Sequence, residues 1–510
     1  MRPVSEMCQL EGTQVKILIS PTNMATVAET TQINGALYNG FNGNQVNTPV
    51  AGLSNGLSNG HVNGPDKVFS PQPKRALEVA IVGGGVAGLA LACVLGHAGH
   101  KVVVLEAAPV ISEVGAGINA SPNLTRLLSR WGLDPRLRQH TDPLTRIDLR
   151  RWETGEFLGA ATLMPEIEKR HGAPQYVVHR SDLQKALMDQ ASSVSEIRIN
   201  SLVVGIDFDK PSVTLHDGTV VDPDVVIGAD GMKSTCRKLI YDKLGLIDKA
   251  RPTGDAAFRV LIPLERILDP ELRKFVMEPV ATRWMGPNCH VQAYPIRHGN
   301  LYNMVLCHPD TGISEESWSA RASKQEILDH FGSWDSVRLR KLLDLIPDEN
   351  IMKWRLCEHE NLPTWVYGKV GLLGDACHPM LPYVAQGAAQ AIEDVGVLGL
   401  ALNQVTGSED LPLLLKAYEI ARKSRTENII KAGSTTRTVL HLIDGPEQVE
   451  RDNKFKAVSK GGENPDLLGD SKAQAFLWAY DPEKFFIEEY NSLLKKAQKA
   501  LETTTKAVEL

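Results

Sequence analysis

The chain has 510 residues, enough for two hydrophobic cores, and a formal charge of −6 with both signs interspersed, which leaves no basic footprint for nucleic acid. Its seven cysteines, odd in number and without CxxC spacing, exclude a disulfide framework and a structural zinc site and fit a reducing, cytoplasmic setting. No run of about 18 apolar residues is present, so no membrane span is expected.

Residues 1–74 read as a disordered extension, because the Asn- and Gly-rich stretch 34–64 carries too little apolar surface to offset chain ordering. The apolar cluster at 15–19 is short and interrupted by Lys16, so neither a signal peptide nor an arginine-rich transit segment is expected. Structure begins with the apolar run 79–82, the pattern of a buried parallel strand, followed at once by Gly83, Gly85 and Gly88. Gly83 serves the tight turn, Gly85 the approach of a pyrophosphate, and Gly88 the close packing of the next helix. That helix runs through 89–95 and should stop near Gly99, its candidate C-cap. A second strand, 101–105, ends on Glu106, placed to bind ribose hydroxyls. This unit fits either FAD or NAD.

Further on, His179-Arg180-Ser181 marks a strand end and a helix start, with Ser181 a candidate N-cap. Asp217-Gly218 reads as a hairpin turn, and the apolar run 225–228 leads into Ala229-Asp230-Gly231. The stretch 254–310 alternates as a mostly antiparallel sheet with one polar face. Arg259 sits at the centre of an apolar strand, and His290, Gln292 and Tyr294 share one face of another. A third apolar run, 370–373, precedes Gly374-Asp375, which puts a carboxylate at a strand's carboxyl end. Gln386-Gly387-Ala388 then opens a helix with small residues, which lets its positive end approach a planar ring.

Taken together, the three strand-and-glycine segments predict an FAD site. The fold expected is α/β: a Rossmann-type FAD-binding domain, an inserted, mostly antiparallel substrate sheet, and C-terminal helices. The boundaries expected are 75–253 and 359–440 for the two FAD-binding parts, 254–358 for the insertion and 441–510 for the helical end. Helices are expected at 388–405, 411–440 and 483–507.

On the segments Gly374-Asp375-Ala376-Cys377-His378-Pro379, Gln386-Gly387-Ala388 and Glu113-Val114-Gly115-Ala116-Gly117-Ile118, the chain resembles the single-component FAD-dependent aromatic hydroxylases, the salicylate hydroxylase-like group with many fungal members. The resemblance covers about residues 76–440 plus 476–484. It implies FAD contacts from Gly117, Arg180, Asp230, Asp375, Gly387 and Ala388, and NAD(P)H as co-substrate without a second glycine-rich unit. It also implies that O2 adds to reduced flavin as a C4a-hydroperoxide, which an electron-rich, phenolic ring attacks. No metal is implied.

For the chemistry, Arg259 is the first candidate: a buried guanidinium needs an anion, either a substrate carboxylate or phenolate or a protein carboxylate. Tyr294 offers a phenol to a substrate hydroxyl or to an ordinary sheet partner. His378 reads as a proton relay beside the flavin loop or as a structural hydrogen bond within it. Arg283, Trp284 and Arg297 are lesser candidates. Other readings are an FAD oxidase or dehydrogenase, the same oxygenation on a larger polyketide or alkaloid, and a non-catalytic FAD-fold binding protein.

Overall fold

The computed structural model describes residues 72–110, 116–310, 312, 321–349, 351–462 and 464–508. Almost all of the expected N-terminal extension, residues 1–71, and the Glu113-Val114-Gly115 part of the motif lie outside the described residues.

The three apolar runs become neighbours in one sheet. Its order is Val366–Tyr367, Val370–Leu372, Val225–Gly228, Glu78–Val82, Lys101–Leu105 and Glu196–Arg198. The strand Glu78–Val82 pairs in parallel with strands on both sides, Val79 opposite Val225 and Val82 opposite Leu105. Gly228 in turn sits opposite Leu372. Central strands bury both faces, which is why they read as unbroken apolar runs rather than alternating ones. Their carboxyl ends, carrying Gly83, Ala229 and Gly374, point to one edge, the crevice where open α/β sheets bind ligands.

The second sheet has seven strands in the order Met352–His359, Ala250–Pro263, Leu301–Pro309, Cys289–Ile296, Val280–Gly286, Arg146–Arg151 and Phe157–Thr162. Its two faces divide by strand periodicity. Phe258, Val260, Met304 and Leu306 pack outward with Ile327, Phe331 and Leu342 of the helices Lys324–Phe331 and Leu339–Asp344. The alternate residues, including Ala257, Tyr294, Val305 and Cys307, pack inward with Tyr383, Val384 and Ile429. The sheet is not drawn from 254–358 alone. Two strands come from 146–162, where the Arg-Ile-Asp-Leu-Arg-Arg sequence hides a strand whose apolar face is only Ile147 and Leu149.

The long helices close the molecule. Gly387–Asn403 packs against Val86–Ala98, Leu411–Leu440 and Pro482–Val508. Gly99 ends the first helix in the left-handed region, at φ +106°, as its place after the apolar run predicts. The N-cap of Arg180–Ala191 is His179 rather than Ser181: its Nδ1 accepts from the Ser181 backbone N–H. No described helix is long and apolar enough to cross a membrane.

Candidate active site

A cavity of about 360 Å³ lies between the carboxyl edge of the parallel sheet and the inward face of the large sheet. Gly85, Val86 and Ala87 form one wall, at the start of a helix that has no side-chain cap. A Cβ at Gly85 would meet nothing within 4 Å, so the backbone is open to a ligand there. At Gly88 a Cβ would lie 2.0 Å from the Gly83 carbonyl oxygen, so only glycine allows this strand–helix approach. Free N–H groups, the positive end of a helix and open backbone suit a pyrophosphate.

Glu106 closes this end. Its Oε2 accepts from the Gly84 N–H at 2.6 Å and its Oε1 from the Ala108 N–H at 2.9 Å. These bonds fix the carboxylate while each oxygen keeps a lone pair for a sugar hydroxyl. Asp375 is the exposed residue of an otherwise buried turn, and it lines the cavity. The surrounding protein pushes its carboxyl up, against the opposing pull of His378, Arg180 and Arg237. Arg180 lines the same cavity, with Asp375 and Glu106 as its opposing charges.

Gly387 and Ala388 face the cavity from the first turn of Gly387–Asn403, again without a side-chain cap. Beneath them lies a buried ionic network. Arg422 bonds Asp394 at 2.8 Å and Glu393 at 2.6 Å, and Arg425 bonds Glu393 at 2.7 Å. Asp394 also accepts from the Gly374 N–H at 3.1 Å, tying the Asp375 turn to the helix.

Two expected site residues are placed elsewhere. The His378 ring pairs with Asp394 inside this network and borders a separate small cleft, so the geometry gives it a structural bond and no relay to the cavity. The Asp230 carboxylate accepts from Ser234 Oγ and the Cys236 N–H, so it braces its own turn while Ala229 and Gly231 line the cavity. Arg237, which sequence reasoning missed, joins the two turns by donating to the carbonyls of Met232 and Ala376 and pairing with Asp248.

Opposite the flavin wall stand the sheet residues. Arg259, Gln292 and Arg283 lie in one cross-strand row through Val305. The Arg259 guanidinium stacks 4.6 Å from the Trp354 ring centroid. Its Nε is buried without a hydrogen-bond partner, and no carboxylate among the described residues forms an ion pair with it. Burial lowers its pKa. Arg283, by contrast, is spent on Asp466 and on Gln292 Oε1, 2.7 Å away. Trp284 faces outward into the core, and Arg297 pairs with Asp182 at 2.7 Å. Tyr294 lines the cavity, and burial pushes its phenol up to about 12 despite Arg259 nearby. A Cβ at Gly117 would lie 2.6 Å from the Tyr294 hydroxyl, which explains the glycine there. Tyr383, Gln175 and Trp354 also line the cavity; they come from separate elements without a shared motif.

The residues fit FAD: an open pyrophosphate cradle, an anchored sugar-binding carboxylate, Asp375 midway and a helix end beside the far wall. A family model described as an FAD binding domain matches residues 76–432. The chain is 39% identical over 412 residues to the FAD-dependent monooxygenase atnJ of Arthrinium sp, covering 79% of this chain and 94% of the relative. It is 31% identical over 410 residues to the 3-hydroxybenzoate 6-hydroxylase of Polaromonas naphthalenivorans, covering 79% and 96%. A solved salicylate hydroxylase substrate complex shares the fold, with a TM-score of 0.64 at 24% identity over 83% of this chain and 98% of that one. These relatives set aside the reading as a non-catalytic binding protein, and this chain belongs to the FAD-dependent monooxygenases built on that FAD-binding domain.

Proposed function

We propose that this enzyme hydroxylates a phenolic ring that carries an anionic substituent, consuming NAD(P)H and O2. The observation that carries the reading is Arg259. A guanidinium whose Nε is buried and unpartnered, facing a cavity with no carboxylate among the described residues paired to it, is built for an anion brought by the substrate. The hydroxybenzoate relative acts on a phenol bearing a carboxylate, the chemistry Arg259 suits.

FAD, when bound, would supply the redox chemistry, hydride acceptance from NAD(P)H and activation of O2. The protein supplies the rest. Glu106 and the cradle at Gly85 hold the sugar and pyrophosphate, Asp375 and Arg180 the middle of the cofactor. The start of the helix Gly387–Asn403 favours negative charge at the ring. Arg259 fixes the substrate's anion, and Tyr294 donates to or accepts from a ring hydroxyl. Leu144, Ile147, Leu163, Val177 and Ala281 line the cavity with apolar surface that excludes water. We place this activity in the cytoplasm, in keeping with cysteines that are scattered along the chain without CxxC spacing.

The test is a screen of hydroxybenzoates against the FAD-loaded enzyme with NADH and with NADPH. At least one should accelerate NAD(P)H oxidation and O2 uptake and yield a hydroxylated product. Oxidation that no phenol stimulates would count for an oxidase or dehydrogenase instead.

A further inference from the structure

The sheet wall of the cavity is longer than a single ring needs. Arg259, Val305, Tyr294, Ala281 and Ile147 all line it, and they come from five strands that are neighbours in the large sheet. Its two ends lie four strand spacings apart, about 19 Å. The registers put these residues on one face. Arg259 is opposite Val305, Val305 is opposite Gln292, two residues from Tyr294, and Gln292 is opposite Arg283, two residues from Ala281. Ala281 is opposite Ile147. Gly85, Asp375 and Gly387, which fit FAD, stand on the other wall.

The chemistry changes along this wall. Arg259 offers a cation at one end, and Tyr294 a phenol in the middle. At the far end Leu144, Ile147, Leu163, Val177, Ala281 and Leu468 form an apolar lobe and belong to one core cluster. One uncharged polar group at this end has an unmet atom. Gln175 is 1% exposed and lines the cavity, and its Nε2 donates to Asn119 Oδ1 at 2.8 Å. Its Oε1 is buried with no hydrogen-bond partner among the described residues. A buried acceptor left unmet is costly, so it marks a place for a donor. Gln175 is also remote from the cofactor. It precedes the strand Tyr176–His179, which ends at Arg180, so five residues of extended chain, about 16 Å, separate it from the FAD contacts.

We propose that the preferred substrate is an elongated phenolic acid. Its anionic group meets Arg259, and the opposite side of its ring carries an apolar chain that fills the lobe and ends in a hydroxyl or N–H donating to Gln175 Oε1. This deepens the reading above and rests on the substrate being an anionic phenol. Held by Arg259 alone, a ring pivots about its anion. A chain seated between Ile147 and Ala281 removes that freedom and presents one ring carbon to the activated oxygen. The lobe also rewards length, because each methylene moved into it leaves water.

The test titrates the FAD-loaded wild type with salicylate, its 4-methyl, 4-butyl and 4-hexyl derivatives, and 4-(5-hydroxypentyl)salicylate. The last matches the hexyl compound in length but ends in a hydroxyl. A chain at the 4-position points away from the carboxylate, as the wall requires. Flavin absorbance reports binding. Dissociation constants should fall about threefold for each added methylene, and product per NAD(P)H should rise along the alkyl series. Gln175→Leu should weaken the hydroxyl-ended compound about tenfold and leave the hexyl compound bound at least as tightly. Ala281→Leu and Ala281→Phe, which fill the lobe in two steps, should keep FAD and erase the gain from chain length. Salicylate that binds with no gain from longer chains overturns the proposal while the phenolic-acid reading stands. A gain that survives both Ala281 variants puts the chain elsewhere and overturns it as well. Equal effects of Gln175→Leu on the hexyl and hydroxyl-ended compounds overturn the hydrogen bond at Gln175. A wild type that binds none of the five overturns the phenolic-acid reading, and the proposal with it.

Discussion

Arg259→Ala should leave FAD bound and uncouple the enzyme. Arg259 lies on the large sheet, across the cavity from the cradle and from Glu106, so removing it touches neither the pyrophosphate nor the ribose contacts. What is lost is the fixed cation for the substrate's anionic group. A ring held loosely is not presented to the activated oxygen, and misplacement by about 1 Å costs on the order of a hundredfold in rate. NAD(P)H is still oxidised, but O2 leaves as hydrogen peroxide. The measurement is product formed per NAD(P)H consumed, with peroxide assayed in parallel. Arg259→Lys should recover only part of the coupling, since an ammonium keeps the charge but loses the planar fork and its stacking on Trp354. Wild-type coupling and wild-type apparent substrate affinity in Arg259→Ala would make the residue structural and shift the anchoring role to Tyr294 or His290.

Arg422→Ala should be the most destabilising single change under the flavin helix. The side chain is fully buried and holds Asp394 at 2.8 Å, Glu393 at 2.6 Å and Gln390 Oε1 at 2.7 Å. Burial works against the Asp394 carboxylate, and His378 and Arg422 together hold its pKa below the ordinary value. Removing one partner of such a buried pair costs about 3–5 kcal/mol, because the remaining charge is left uncompensated. Glu393 keeps Arg425, so the loss falls mainly on Asp394. Asp394 also receives the Gly374 N–H, so the Asp375 turn should loosen and FAD occupancy should fall with stability. A urea titration of the loaded enzyme, with flavin content measured alongside, checks both. A change below about 1 kcal/mol would mean that the network relaxes or takes in water, and that it does not anchor the turn.

The parts of the fold that are legible in the sequence are those in which burial is local. The runs 79–82, 225–228 and 370–372 are central parallel strands, buried on both faces, so their neighbours in sequence are also apolar. Arg259 stands out because a charge in such a run has to be explained. The strand 146–151 does not stand out, because four of its six residues are charged and only one face is packed. His378 was misleading for a different reason. Its place beside Asp375 in sequence suggests the flavin face, while its partner, Asp394, is sixteen residues away on the next helix and turns the ring the other way. Asp230 reads as a ligand from its place after the strand, and in the folded chain its oxygens also brace the turn that follows, accepting from Ser234 Oγ and the Cys236 N–H. Ile147, Gln175 and Ala281 come together only in the folded chain, from elements up to 134 residues apart in number, Ile147 to Ala281. No spacing rule links them.

The account stands most directly on where the oxygen goes. FAD-loaded enzyme, NAD(P)H and the best phenol of the screen, run under isotopically heavy dioxygen in ordinary water, should give a product carrying one heavy oxygen atom, with the second appearing in water. A hydroxylated product whose new oxygen comes from solvent, or complete recovery of the heavy oxygen as hydrogen peroxide with every phenol, would contradict it.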